Sequence, residues 1–410
     1  MSASNQSLRD PELPSGGFAL AITLAIQMFT TLAATSTAVL APEIGRDLGV
    51  APKLVGVFVG LVYAGSMAAS LACGGFIERF GAIRVSQICV LLCATGLAII
   101  AAGTAPSPIL AVMLVAAPIV IGLGYGPITP ASSQILVRTA TPERMALTFS
   151  IKQTGVPAGA ALAGALLPAI ALRIGWHAAL ALVAASGIVI AIVAQSARGS
   201  LDRERFPGRK LSAAGIFTPL RHVLRTPALA ELALMGCIYA ALQVCLMSFL
   251  VVYLTETVHF SLVGAGFALT AANLGGIIGR IFWGAIADIH VGPRVLLGSI
   301  GVAAGLCALA AATFTLDWPI ATIVAVCALF GATAIGWNGV QLAEVARNAP
   351  AGEVGAITGA AGFVTFSGVV IGPPAFAAIS ALTNGYRAGF ATFGSLSIGC
   401  GLWLLARARK

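Results

Sequence analysis

Twelve long apolar runs constrain this chain more than any other feature of its sequence. Each run contains about 20 or more residues, the length a helix needs to cross the hydrocarbon of a bilayer. The runs lie roughly at residues 18–40, 54–76, 84–104, 108–135, 146–170, 176–197, 227–254, 262–287, 294–314, 319–343, 355–381 and 386–406. In lipid, each segment must pair its own backbone N–H and C=O groups unless it closes into a barrel. Because the runs lack the period-two alternation of barrel strands, we predict an all-α integral membrane protein with twelve transmembrane helices, numbered here spans 1 to 12.

The composition excludes most soluble classes of protein. Only 9% of the residues are charged and the mean hydropathy is +0.98, whereas soluble domains carry about 25% charged residues. The net charge of +9 could suggest a nucleic-acid partner, but the cations lie in short loops and form no basic stripe. All eight cysteines fall inside apolar runs, without a Cys-x-x-Cys pair or a nearby histidine. We therefore predict no nucleic-acid partner, no metal and no cofactor.

The distribution of Lys and Arg predicts the topology. If both termini are cytoplasmic, 17 of these cations lie in cytoplasmic segments and 4 lie in the opposite loops. Cytoplasmic loops carry an excess of Lys and Arg, so we predict cytoplasmic termini in a plasma membrane. The short loops favour a bacterial inner membrane.

A polar segment near the middle of the chain divides the spans six and six. A charged linker between two apolar bundles is a typical domain boundary. The predicted segments are a cytoplasmic N-terminal tail (1–17), an N-terminal six-helix bundle (18–197), a cytoplasmic linker (198–226), a C-terminal six-helix bundle (227–406) and a cytoplasmic tail (407–410).

An internal repeat supports this division. The loop after span 2 and the loop after span 8 carry a glycine, a carboxylate and an arginine at the same spacing. These residues are Gly74, Glu78 and Arg84 in the first copy, and Gly284, Asp288 and Arg294 in the second, 210 residues later. Repeated bundles are typical of secondary transporters with a site at the bilayer midplane, and they disfavour a passive channel.

The first loop resembles the signature G-x-x-x-D-R-x-G-R-R of the major facilitator superfamily (MFS). The chain departs from it with Glu78 in place of Asp, with Arg84 alone in place of a basic pair, and with no Arg after Asp288. The resemblance covers the whole chain and implies two bundles that rock about a central cavity, open alternately to either side. We predict that five residues form a conformational latch: Glu78, Arg79, Arg84, Asp288 and Arg294. Because an exposed ion pair contributes only about 0–1 kcal/mol, such a latch must act as a network.

Two cations lie within the spans, Lys152 in span 5 and Arg280 in span 8, and no Asp or Glu lies deep in any span. A charge at a helix centre costs about 2.5–3.5 kcal/mol on insertion scales. In the MFS fold spans 5 and 8 are neighbours across the seam between bundles, so the resemblance puts both cations beside the central cavity. We predict that a small organic anion, a carboxylate, binds between them. The alternative interpretation is that each cation snorkels or caps carbonyl groups.

The Gly279-Arg280 pair ahead of the second loop resembles oxalate/formate antiporters and monocarboxylate transporters. Span 11 has no Lys, which departs from the oxalate pattern. Further candidate substrate-binding residues are polar or aromatic side chains within the spans: Gln153, Tyr125, Gln27, Asn273, Trp337 and Asn338. Each of them is equally suited to joining neighbouring helices.

These features predict a secondary active transporter of a small organic anion that works by alternating access in a lipid bilayer; they favour no oligomeric state. One alternative is a proton-coupled exporter of drugs or other hydrophobic or cationic compounds, which would be expected to show a buried carboxylate. Another is a transport-inactive membrane sensor, which usually adds a signalling domain. An enzyme is disfavoured because the four histidines lie at or near span ends without triad or di-metal spacing.

Overall fold

The computed structural model describes residues 16–49, 55–104, 108–203, 205–208, 215–289 and 292–408. The predictions for most of the N-terminal tail (1–15), for linker residues 204 and 209–214 and for the last two residues (409–410) lie outside the described residues. Among the described residues, twelve helical segments are long and apolar enough to cross a membrane. The predicted all-α fold with twelve transmembrane helices in two bundles is confirmed.

Nine of the described spans are single helices and three are interrupted. The single helices are Gly16–Val39 (span 1), Val55–Phe80 (2), Ala82–Ala101 (3), Trp176–Leu201 (6), Pro227–Glu256 (7), Leu262–Ile289 (8), Pro293–Ala312 (9), Val354–Leu382 (11) and Arg387–Ala408 (12). The interrupted spans are Pro108–Tyr125 with Ile128–Thr139 (4), the 3-10 turn Pro142–Arg144 with Met145–Gln153 and Gly155–Ile174 (5), and Ile320–Ala334 with Asn338–Asn348 (10). Two short helices, Ala41–Leu48 and Thr218–Arg225, lie between spans.

The interruptions of spans 4 and 10 repeat the internal symmetry of the sequence. The second helices of these spans begin at Ile128 and Asn338, 210 residues apart, which is the offset of the two loop copies. In span 4 the break includes Pro127, which has no N–H to continue the helical hydrogen bonding. At each break, backbone carbonyls lose their intrahelical partners and become available to side chains.

Glycine allows spans 8 and 10 to approach closely at the level of Arg280. A Cβ placed on Gly279 would lie 2.8 Å from the Cα of Ala332 in span 10. Small residues at such contacts are the usual means by which transmembrane helices pack without a hydrophobic driving force. The close approach brings the neighbouring Arg280 within reach of the break in span 10.

The two bundles contact each other on one side of the membrane. We call this the linker side, because the linker and the loops between spans 2 and 3, 4 and 5, 8 and 9, and 10 and 11 lie there. The first half of span 5, Met145–Gln153, packs against spans 8 and 10, whereas its second half packs mainly against spans 1 and 6 of its own bundle. A Cβ on Gly339 of span 10 would lie 2.6 Å from the backbone N of Ser150. The space between the bundles is therefore closed on the linker side.

Candidate substrate site and linker-side latch

A cavity of about 130 Å³ lies between the bundles, lined by spans 2, 4, 5, 7, 8, 10 and 11. Four of the predicted substrate-binding residues line it: Tyr125, Gln153, Arg280 and Asn338. Among the described lining residues Arg280 is the only charged one, and there is no Asp or Glu. The cavity therefore presents a single positive charge among neutral polar and apolar groups.

Arg280 is held by carbonyl groups at two helix breaks. Its side chain is buried, with 1% of the residue exposed. Its Nε donates to the carbonyl O of Ile335 at 3.0 Å, and its Nη1 donates to the carbonyl O of Gln153. Within the part of the chain that the structure describes, Nη2 donates no hydrogen bond, although a guanidinium has five N–H donors. The backbone thus fixes the guanidinium in the cavity wall and leaves donors for a ligand.

Lys152 lies behind this wall and does not line the cavity. Only 1% of the residue is exposed. Its Nζ donates to Gln27 Oε1 at 2.7 Å, to Gln153 Oε1 at 3.0 Å and to Thr129 Oγ1 at 3.3 Å. Three neutral oxygens match the three N–H donors of an ammonium group. All three acceptors belong to the N-terminal bundle, so the described hydrogen bonds of Lys152 do not cross the seam.

Gln153 joins the two cations. Its carbonyl O accepts from Arg280 and its side-chain Oε1 accepts from Lys152. Neither cation forms an ion pair with a carboxylate among the described residues. Two buried positive charges without an anionic partner are unfavourable in a low-dielectric interior. An anion in the cavity would offset the cost of burying these charges. It would contact Arg280 directly and would be separated from Lys152 by Gln153.

The other cavity residues include a cluster of aromatic rings and a pair of side-chain amides. Tyr63, Tyr125 and Phe366 form a cluster with ring centroids 6.1–6.5 Å apart. Elsewhere on the lining, Asn338 donates its Nδ2–H to Gln243 Oε1 at 3.1 Å. Sequence reasoning did not single out Phe366, because a phenylalanine in an apolar span carries no signal that separates a cavity wall from a helix contact.

Besides Lys152, three other predicted substrate-binding residues do not line the cavity. Gln27 contacts Lys152, as described above. Trp337 is buried edge-on against Tyr239, with ring centroids 5.8 Å apart, and its Nε1–H donates to the carbonyl O of Ala334 at 3.0 Å. Asn273 donates to the carbonyl O of Leu269 in its own helix at 3.0 Å.

In the second loop copy, Asp288 spans the seam between the bundles. Its carboxylate accepts hydrogen bonds from the backbone N–H groups of Ala146 at 3.0 Å and Leu147 at 2.8 Å, at the start of the helix Met145–Gln153. Arg347 pairs with the same carboxylate at 3.2 Å, and only 3% of the Asp288 side chain is exposed. A carboxylate at a helix N-terminus is also stabilised by the helix dipole. The described ion pair of Asp288 therefore involves Arg347, which is not one of the five predicted latch residues.

The first loop copy is built differently. Gln134 of span 4 accepts a hydrogen bond from the N–H of Gly355 at the start of span 11, at 2.8 Å. Glu78 is buried, and its carbonyl O accepts from the N–H of Phe206 in the linker at 2.7 Å. The seam is thus closed by a charged contact in one copy and by a neutral amide in the other.

Two arginines of the first copy contact residues other than Glu78. The backbone N–H of Arg84 donates to Asp202 Oδ2 at 3.0 Å, and the guanidinium of Arg79 lies over the ring of Phe80, 5.3 Å from its centroid. Burial raises the pKa of the Asp202 carboxyl, while the N–H groups of Ile83 and Arg84 oppose this rise. Asp202, which the sequence did not single out, therefore links the end of span 6 to the start of span 3.

Solved structures show that the whole fold recurs in transporters of several kinds. The human organic anion transporter MFSD10 (TETRAN) aligns with a TM-score of 0.76 and 18% identity, covering 95% of this chain and 100% of that one. The Escherichia coli fucose:proton symporter FucP aligns with a TM-score of 0.71 and 14% identity, covering 97% and 99%. A bacterial homologue of the iron transporter ferroportin, in an outward-facing state, aligns with a TM-score of 0.70 and 17% identity, covering 95% and 98%. At such identities the likeness concerns the fold alone.

Sequence relatives agree with the fold. Two uncharacterised MFS-type transporters, from two strains of Mycobacterium tuberculosis, are each 28% identical over 177 residues. The match covers 42% of this chain and spans 38% of the length of each relative. The finer resemblance to oxalate/formate antiporters and monocarboxylate transporters stays a prediction. Residues 23–373 match the family Major Facilitator Superfamily, and the chain belongs to that superfamily of integral membrane transporters.

Proposed function

We propose that this transporter carries a small organic anion, with a carboxylate bound to Arg280, by alternating access. The observation that carries the proposal is that Arg280 is the only charged residue among the described residues of the central cavity. Its anchoring through Nε and Nη1 leaves Nη2 without a described partner. Guanidinium groups bind carboxylates through short, charge-assisted hydrogen bonds. The anion-transporting neighbour MFSD10 is consistent with this substrate class.

Lys152 and Arg280 take different parts in the proposed site. Arg280 contacts the anion, whereas Lys152 adds positive potential from behind Gln153. The aromatic cluster supplies an apolar surface, and Asn338 with Gln243 supplies neutral donors and acceptors. The volume of about 130 Å³ is below the roughly 300–1,000 Å³ that is typical of pockets for drug-sized ligands. A small anion fits such a space better than a bulky drug.

The direction in which the cavity faces follows from the charge bias. If the linker side is cytoplasmic, as the 17 Lys and Arg on that side against 4 indicate, the bundles are closed towards the cytoplasm. The anion would enter from outside in this state. Release to the cytoplasm would require the contact between Asp288 and span 5 to break.

Export of cationic drugs is the other function that the sequence left open. A cation would need a carboxylate for charge compensation in a low-dielectric cavity, and the described lining residues include none. A transport-inactive sensor would bind a ligand at the same cavity without moving it, so a transport assay separates it from the proposed function.

A thermal-shift experiment on the purified protein in detergent tests the substrate class. The panel holds small mono- and dicarboxylates, inorganic anions and cationic drugs. A ligand at 100 times its dissociation constant stabilises a protein by about 2.7 kcal/mol. We expect one class of carboxylate to raise the Tm of the wild type and to have no effect on Arg280→Gln, with a reduced effect on Lys152→Gln.

Asn273→Ala is the matched control, since Asn273 is polar and in the same span as Arg280 but does not line the cavity. It should respond as the wild type does. Stabilisation by cations alone, or an anion response that Arg280→Gln retains, would refute the proposal. Counterflow of the stabilising anion in proteoliposomes then distinguishes a transporter from a sensor.

A further inference from the structure

A second polar cavity lies at the linker-side end of span 6, apart from the substrate site. Its volume is about 330 Å³, and six described residues line it: Gln195, Arg198, Gly199, Asp202, Arg203 and Arg205. The lining thus combines three guanidinium groups with one carboxylate. Neither the proposed substrate site nor the latch uses these arginines.

The carboxylate of Asp202 is already engaged by two backbone N–H groups. Its Oδ1 accepts from the N–H of Ile83 at 2.8 Å and its Oδ2 accepts from the N–H of Arg84 at 3.0 Å. The Nε of Arg198 lies 3.9 Å from Oδ2, which is beyond hydrogen-bond distance. This Nε is buried and donates no hydrogen bond within the part of the chain that the structure describes. The described lining therefore sets three guanidinium groups against one carboxylate, and the Nε of Arg198 still requires an acceptor.

An apolar surface of span 6 adjoins the polar cavity. Ile188, Val189, Ile192 and Val193 form an exposed apolar face along span 6. Gln195 continues this face one helical turn beyond Ile192, where the lining of the polar cavity begins. An apolar face that runs directly into a basic pocket at a span end matches a phospholipid, with its acyl chains along the span and its headgroup in the pocket.

We infer that this pocket binds the phosphate of an anionic phospholipid in the leaflet on the linker side. Arg198 and Arg203 contact the phosphate, and Arg205 adds charge from the linker. A free phosphate would satisfy the same arginines but would make no use of the apolar face of span 6.

The bound lipid would act on the elements that close the linker side. Arg205 also lines an adjoining cavity of about 140 Å³ together with Glu78, Arg138 and Asp202. The neighbouring Phe206 donates its N–H to Glu78. Occupancy of the pocket would therefore fix the linker against the loop between spans 2 and 3. The latch residues Glu78, Arg79 and Arg84 lie at this loop.

Lipid titration of the delipidated protein, read by native mass spectrometry, tests this inference. The probes are phosphatidylglycerol, phosphatidylcholine and inorganic phosphate. Removing one arginine near the membrane surface weakens the binding of an anionic lipid about fivefold, so Arg198→Gln with Arg203→Gln should weaken phosphatidylglycerol binding about 25-fold. The matched control is Arg221→Gln with Arg225→Gln, which removes two exposed cations from the short helix Thr218–Arg225 on the same side. This control should change the affinity by less than about threefold.

Three outcomes would overturn the inference. They are an equal loss of affinity in the control, tight binding of phosphatidylcholine that the arginine variants retain, or competition by millimolar inorganic phosphate that shows a solute site. If the double variant does not fold, Arg203→Gln alone carries the test, because Arg203 is exposed and its removal leaves Arg198 beside Asp202. For this single variant a loss of about fivefold supports the inference, and an unchanged affinity refutes it.

Discussion

Replacing Asp288 by asparagine removes the charge that closes the seam between spans 8 and 5. The carboxylate accepts two backbone N–H groups, at 2.8 and 3.0 Å, and pairs with Arg347. A hydrogen bond to a charged group contributes about 1.5–3 kcal/mol, and a pair with a partly exposed guanidinium about 0–1 kcal/mol. Asparagine keeps one neutral acceptor, with about 0.5–1.5 kcal/mol. The net loss is therefore on the order of 3 kcal/mol, and it falls on the state that is closed on the linker side.

A loss of about 3 kcal/mol shifts the equilibrium towards the linker-side-open state on the order of 100-fold. The populations can be read from the distance distribution between spin labels at the exposed positions Arg144 and Glu353, which lie on different bundles. The half-buried Cys237 and Cys307 are first replaced by alanine so that the labels attach only at the chosen sites. We expect a second, longer distance to become populated in Asp288→Asn.

The matched control for this experiment is Glu43→Gln. Glu43 pairs with Arg46 within the short helix Ala41–Leu48, so its loss affects no contact between the bundles. The control should keep the wild-type distance distribution. If the population of the longer distance in Asp288→Asn stays within about twofold of the wild-type value, the carboxylate does not determine which state the protein adopts. The energy derived above (about 3 kcal/mol) would then be wrong.

Two further substitutions test the seam and the site. Gly339→Ala adds a Cβ that would lie 2.6 Å from the backbone N of Ser150, so it should separate the bundles on the linker side and lengthen the same spin-label distance. Gly164→Ala, where a Cβ meets nothing within 4 Å, should leave the distance unchanged, and equal effects of the two would contradict the packing argument. Gln153→Glu places a carboxylate between the two buried cations, so we expect a higher Tm without ligand and no further stabilisation by anions. A lower Tm would show that the two cations do not need an anion.

The sequence predicted the spans well because a bilayer leaves few alternatives to long apolar helices. It also identified Arg280 and the repeated loops, since a charge in an apolar span and a spacing repeated after 210 residues are visible without coordinates. The prediction could not separate Arg280, which lines the cavity, from Lys152, which lies behind it. That difference depends on the breaks in spans 5 and 10, which decide which carbonyl groups are free. The pairing of Arg347 with Asp288 could not be predicted from the sequence either. The packing of span 10 brings Arg347 to Asp288, although the two residues lie at the ends of different spans.

Arg280 is bonded to both bundles, and this gives substrate binding a route to the conformational change. The carbonyl of Ile335 belongs to the same bundle as Arg280, whereas the carbonyl of Gln153 belongs to the other. When spans 5 and 8 separate on the linker side, the hydrogen bond from Arg280 to Gln153 must break. A buried donor left without an acceptor costs about 1–3 kcal/mol, and a charged donor costs more. A carboxylate in the cavity would supply the replacement acceptor at that moment. We therefore expect a transported anion to speed the exchange between the two spin-label distances by on the order of tenfold for each 1.4 kcal/mol that it contributes, and to have no such effect in Arg280→Gln. An anion that binds but leaves the exchange rate of the wild type unchanged would rule out this coupling.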